Sequence, residues 1–216
     1  MTGLLKKDLF VLKSQRVSVT IGLFMVLALV MGNEEPILGV FAIAFLSATL
    51  GVSTIAYDEF NNSNAFLFTL PITRSLYTVE KYVFSFIFTT VISLFSSVLL
   101  FLLYRQRVLA YGLSLWLLLI VGSIFVSLII PALLIPINLK FGSEKGRMVM
   151  IILFVFIGVL SPNISKIIPK KSLVTFINFI SGLSPIQLLL LVIVIILGFS
   201  TISALISKQI MAKKEF

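Results

Sequence analysis

Six apolar stretches, each near the length that crosses a bilayer, are divided by short segments that carry all of the charge. They cover 17–33, 37–56, 82–104, 113–137, 148–165 and 186–207. A helix needs about 20 residues to cross ~30 Å of hydrocarbon at 1.5 Å per residue, and these stretches fit. Pro162 falls inside the fifth and can end it early. Of 216 residues, 59% are hydrophobic and 12% charged, where a soluble domain has roughly 45–50% and about 25%. A water-facing surface cannot be built from that, and the mean hydropathy of +1.18 agrees. Lipid must be the solvent for most of the chain. The expected fold is all-α and polytopic, one transmembrane domain over 1–216 with six spans.

The net charge of +9 comes from 17 Lys and Arg against 8 Asp and Glu. In a soluble protein such an excess points to nucleic acid. Here the basic residues lie between apolar runs, where they orient the chain in the bilayer. With the N-terminus inside, the inner segments carry twelve of the 17: Lys6, Lys7, Lys13, Arg16, Arg74, Lys81, Lys140, Lys145, Arg147, Lys208, Lys213 and Lys214. The outer segments carry five: Arg105, Arg107, Lys166, Lys170 and Lys171. The bias predicts both termini in the cytoplasm. The start of the chain imitates a signal peptide, but its basic region reaches Arg16 and no Ala-x-Ala site follows the apolar run. Leu5, Leu9 and Leu12 share one helical face, with Lys6, Lys13 and Arg16 elsewhere. That pattern predicts an amphipathic helix in the cytoplasmic interface; a basic flank that only sets topology is the alternative.

Absences narrow the function. The chain has no Cys and no His, which removes thiol chemistry and imidazole metal sites. None of the six stretches contains Asp, Glu, Lys or Arg. Proton-coupled transporters usually keep an ionisable group in the membrane, so proton coupling is disfavoured, while sodium held by backbone carbonyls stays open. The two Asp, Asp8 and Asp58, fall in inner segments, away from any intramembrane acid–base pair. The adjacent Asp58 and Glu59 read as a solvated helix boundary. There is no Walker A motif, so no ATP site through a P-loop is expected, and energy for active transport must come from another polypeptide.

The loop between the second and third stretches, over 57–81, reads "YDEFNNSNAFLFTLPITRSLYTVEK". Phe60, Phe66, Phe68 and Leu70 are too apolar for an idle solvated loop, and apolar residues rimmed by polar ones mark docking surfaces; a segment resting on lipid headgroups is the alternative. With the following Tyr82, this stretch resembles the first cytoplasmic loop of the small permeases of bacterial ABC-2-type exporters. There an acidic pair follows span two, then a Leu-Pro-x-x-Arg element, then a Lys-Tyr opening span three. Residues Pro136 to Arg147, "PINLKFGSEKGR", are similar to that family's element between spans four and five.

The resemblance implies a homodimer or heterodimer of six-helix permeases in the bacterial cytoplasmic membrane. A separate ABC ATPase would bind ATP and magnesium, and this chain would hold no cofactor or metal and catalyse nothing. The first loop would dock that ATPase through Asp58, Glu59, Phe66, Phe68, Leu70, Pro71 and Arg74. Phe141, Gly142, Glu144, Lys145 and Arg147 would form the second cytoplasmic element. Residues 161–185, punctuated by Pro162, Pro169 and Pro185, would form an outer lid of short helices. Amphipathic peptides, as toxins or antimicrobial peptides, are the expected cargo, and the 20 Phe suit such a path. A non-transporting accessory or immunity membrane protein is the competing reading. Ala44, Ser47, Ala48 and Gly51 recur at spacings of three and four on span two. Such a face permits close helix contact, either at a dimer interface or within one subunit.

Overall fold

A computed structural model of the chain describes residues 1–33, 35–60, 66–160, 182 and 184–214. Residues 61–65 of the coupling loop, and 161–181 and 183 of the expected outer lid, lie outside the described residues. Eight helices are described: α1 Thr2–Ser14, α2 Arg16–Asn33, α3 Pro36–Phe60, α4 Arg74–Leu103, α5 Arg105–Tyr111, α6 Leu113–Phe141, α7 Ser143–Leu160 and α8 Pro185–Lys213.

Local chemistry sets several of the boundaries. Thr73, two residues after Pro71, caps α4 by accepting a hydrogen bond from Leu76 N–H at 3.2 Å. Ser184 and Gln187 form a capping box around Pro185 at the start of α8. Gly112 and Gly142, with φ of 91° and 82°, bracket α6. No other residue type adopts that backbone as readily, so α6 can stop at Gly142 and α7 begin at once.

Among the described residues, four helices are long and apolar enough to cross a membrane: Pro36–Phe60, Arg74–Leu103, Leu113–Phe141 and Gln187–Lys213. The pair α1 and α2, bent by 65°, passes the same test together. The first and fifth expected spans correspond to α2 and α7, each 18 residues long. α4 has 30 residues, about 45 Å of helix against ~30 Å of hydrocarbon. It is longer than the slab is thick, and its first turns carry Arg74, Glu80 and Lys81.

α3, α4 and α6 pack against one another at the centre. α8 lies against α6 and α4, α2 mainly against α3, and α7 against α6 and the edge of α3. The small face of α3 is filled from within the chain. Ala44, Ser47, Ala48 and Gly51 are buried, and a Cβ on Gly51 would come 3.3 Å from Ser85 Cα of α4. That assigns this face to intrasubunit packing.

Pro131 and Pro136 sit inside α6. Pro136 has no N–H to give the carbonyl of Ala132, four residues back. Ser203 Oγ of α8 supplies the missing donor. Tyr82 Oη of α4 lies 2.6 Å from Ser203 Oγ and 2.8 Å from Ser207 Oγ. A proline in one helix thus recruits a buried polar link among three, as a lipid-embedded bundle requires.

Two apolar clusters divide the core. One gathers Leu4, Val52, Ile55, Leu67, Tyr77, Tyr82, Ile135, Leu139 and Met211 near both ends of the chain. The other gathers Val26, Val30, Val40, Ile43, Leu100, Val108 and Trp116 at the opposite end.

Candidate functional site at the charged end of the bundle

Four ionisable residues expected in solvated segments, Asp8, Asp58, Glu80 and Lys81, are buried in the structure. α1 turns Leu4, Asp8 and Leu12 inward on one seam, and Asp8 is fully buried. Leu9 is exposed instead, so the inward face differs from the expected Leu5, Leu9 and Leu12. Lys81 of α4, also fully buried, places Nζ 2.5 Å from Asp8 Oδ2 and 2.9 Å from Asp58 Oδ2. It also donates to Thr54 Oγ1 at 3.2 Å. Lys7 Nζ lies 2.5 Å from Asp58 Oδ1 and 3.2 Å from Asp8 Oδ1. Tyr77 donates its hydroxyl to Asp58 Oδ2 at 3.0 Å, and its ring sits 5.2 Å from Lys81 Nζ.

Two lysines and two aspartates therefore interlock α1, α3 and α4 with no net charge. Removing such charges from water is expensive, and close geometry is what offsets it. Asp58 is thus not the solvated boundary that its position beside Glu59 suggested. The spans as drawn from sequence stop short of these groups, whereas α3 runs on through Asp58 and α4 begins before Lys81. Glu80 is buried next to Lys81, and among the described residues neither carboxyl oxygen has a hydrogen-bond partner.

Glu59 ties a second set of ends. Its Oε2 accepts from Ser143 N–H at 2.8 Å, at the start of α7, and its Oε1 lies 2.8 Å from Lys214 Nζ, just past α8. A carboxylate suits a helix N-terminus, where unpaired N–H groups point outward. Gly142 stands beside it; a Cβ there would lie 3.5 Å from Glu59 Oε2. Arg74, an exposed residue, donates to the carbonyls of Ala212 at 2.9 Å and Met211 at 3.4 Å. It covers free carbonyls at the C-terminal end of α8.

The apolar residues of the first loop divide by direction. Leu67 is buried in the core. Phe68 is half-buried, edge-on to Tyr77 with ring centroids 5.8 Å apart. Phe60, Phe66 and Leu70 are 88%, 66% and 41% exposed, and Pro71 is exposed beside Leu70. In the second element Phe141, Glu144, Lys145 and Arg147 are exposed, and Lys140 Nζ lies 5.1 Å from the Phe141 ring. The sequence-predicted residues of both elements thus gather at one end of the bundle. α1, expected as an interfacial helix, and Tyr77, Glu80 and Lys81, none of them expected as site residues, complete it. The available signal was Asp8 spaced four residues from both Leu4 and Leu12, an acid inside an apolar seam.

A family model described as ABC-2 family transporter protein matches residues 3–212. The chain belongs to the ABC-2 transporter family. No curated protein and no solved structure matches it. This ABC-2 family member is a multi-pass permease, the membrane component of a transporter that works with an ABC ATPase.

Proposed function

We propose that this ABC-2 permease exports amphipathic peptides, such as toxins or antimicrobial peptides, from the cytoplasm of a bacterial cell. It spans the membrane six times with both termini inside, and pairs with a second copy or a paralogue. ATP and magnesium are held by the partner ATPase. The observation that carries this reading is the contrast within the first loop. Phe66 and Leu70 stand exposed, while Leu67 and Phe68 hold the same segment onto the bundle directly beside the ion cluster.

Mechanically, the loop is a short lever on a braced end. ATP binding on the partner moves a surface seated on Phe66 and Leu70. The push reaches α4 through Phe68 and Tyr77, α3 and α1 through Asp58, Lys81, Asp8 and Lys7, and α8 through Arg74. Glu59 carries it to α7. Closely packed, ion-paired ends move as rigid bodies, so the helices repack together.

A pull-down tests the reading. Apolar anchors at an interface commonly lose about 2 kcal/mol or more on truncation, roughly thirty-fold in affinity. Phe66→Ala with Leu70→Ala is expected to leave membrane insertion intact, reduce recovery of the co-expressed ATPase and stop export. Equal recovery with continued export would show that this segment only rests on lipid.

A further inference from the structure

Beside the charged end, α3, α7 and the end of α6 line a groove of about 530 Å³. On α3 it extends from Phe60 back to Thr49, three turns or about 16 Å of helix. Its inner wall is mainly apolar, with Leu50, Val52, Ala56 and Leu134; the hydroxyls of Thr49 and Ser53, also on this wall, are bonded to the carbonyls of Leu46 and Leu50. At its outer end stand Tyr57, Asn138 and Arg147. Among the described residues none of these three side chains has a hydrogen bond or ion pair, and Arg147 is exposed. Lys140 and Lys145 are exposed nearby. Glu144 is the acid on this rim, because Glu59 is already held by Lys214 and the Ser143 N–H.

The depth of Arg147 is fixed by its own helix. The first turn of α7 is polar, Ser143 to Arg147, and the next residues, Met148, Ile151, Ile152 and Val155, are exposed and apolar. In a bilayer that change marks the headgroup boundary. Guanidinium, hydroxyl and amide donors at headgroup depth, above a mainly apolar channel three turns long, match one kind of molecule. We propose that this groove is a binding site for an anionic phospholipid of the same leaflet. Its phosphate is held by Arg147 with Tyr57 and Asn138, and an acyl chain lies along Leu50, Ala56 and Leu134. The site is independent of the ATPase-docking segment. A lipid seated there wedges α7 away from α3, beside the Glu59 link that joins the two helices.

Native mass spectrometry of the full-length permease in detergent tests this, with phosphatidylglycerol, phosphatidylcholine or inorganic phosphate added as probes. Retention of phosphatidylglycerol over phosphatidylcholine, and no binding of free phosphate, is the expected result. Loss of one charge-assisted contact should weaken phosphatidylglycerol binding about tenfold in Arg147→Gln, while Arg105→Gln, at the opposite end, should leave it unchanged. Ala56→Phe, which fills the groove without changing charge, should also lower retention, and it decides the matter if Arg147→Gln does not fold. Equal retention of both lipids, retention unchanged by Ala56→Phe, or displacement of the lipid by free phosphate would overturn the proposal. So would binding of a labelled amphipathic peptide in this groove with phosphatidylglycerol excluded.

Discussion

Replacing Lys81 by Met keeps most of the side-chain volume and removes one charge from the middle of the ion cluster. In the native arrangement Lys81 Nζ serves Asp8 at 2.5 Å, Asp58 at 2.9 Å and Thr54 at 3.2 Å with no access to water. Without it, two buried carboxylates share Lys7, which is partly exposed. The cluster is left one negative charge in excess. Breaking a buried pair in this way costs about 3–5 kcal/mol. Adding Asp8→Asn restores the balance, because Lys7 and Asp58 then form a single pair at 2.5 Å. The double variant should therefore be more stable than Lys81→Met alone, although it carries one more substitution. Contacting residues show coupling of roughly 0.5–3 kcal/mol, and the upper part of that range is expected here. Glu80→Gln is the contrast: its carboxyl has no hydrogen bond to lose among the described residues, so stability should hold or rise. Equilibrium unfolding in mixed micelles, followed by the single Trp, reports all five proteins, wild type and Asp8→Asn alone included. Trp116 lies buried in the opposite cluster, so its signal tracks loss of the whole bundle. If Lys81→Met unfolds within 0.5 kcal/mol of wild type, or if its effect and that of Asp8→Asn add, the cluster does not brace this end of the protein.

Gly51→Leu should separate α3 from α4, since even a Cβ there meets Ser85 backbone at 3.3 Å; overpacking typically costs about 1–3 kcal/mol, and a wild-type unfolding midpoint would disprove the close approach. Topology is checked with single cysteines at exposed positions: Gln106→Cys should react with an impermeant maleimide on intact cells and Lys145→Cys only after lysis. The reverse pattern would overturn the inside placement of both termini.

How much of this was legible without coordinates follows from the forces involved. Apolar runs of 82–104 and 113–137 are long, local signals, and α4 and α6 cover them. A helix must satisfy its own backbone in lipid, so length and hydropathy decide its existence with little help from neighbours. Gly142 between two helices, and Ser184 ahead of Pro185, are likewise written in the chain, because positive φ and capping depend on one or two residues. The charge bias between segments is also a property of composition alone.

What the sequence could not decide is where the charges go. Lys7, Asp8, Asp58 and Lys81 are up to 74 positions apart, and each in isolation reads as a solvated boundary residue. Burial of an ion is acceptable only when its partner is already in place, and the partner's position is a property of how α1, α3 and α4 pack. The same holds for the loop: Phe66 and Phe68 look equivalent in sequence, yet one is exposed and the other lies against Tyr77. Nor does sequence tell that Ala44 to Gly51 would be consumed by packing against the chain itself, since a small-residue stripe fits any close helix. Local chemistry determined the helices; which polar groups became a brace, and which apolar ones stayed free, was decided by tertiary packing, because only there do groups distant in sequence come within ion-pair range.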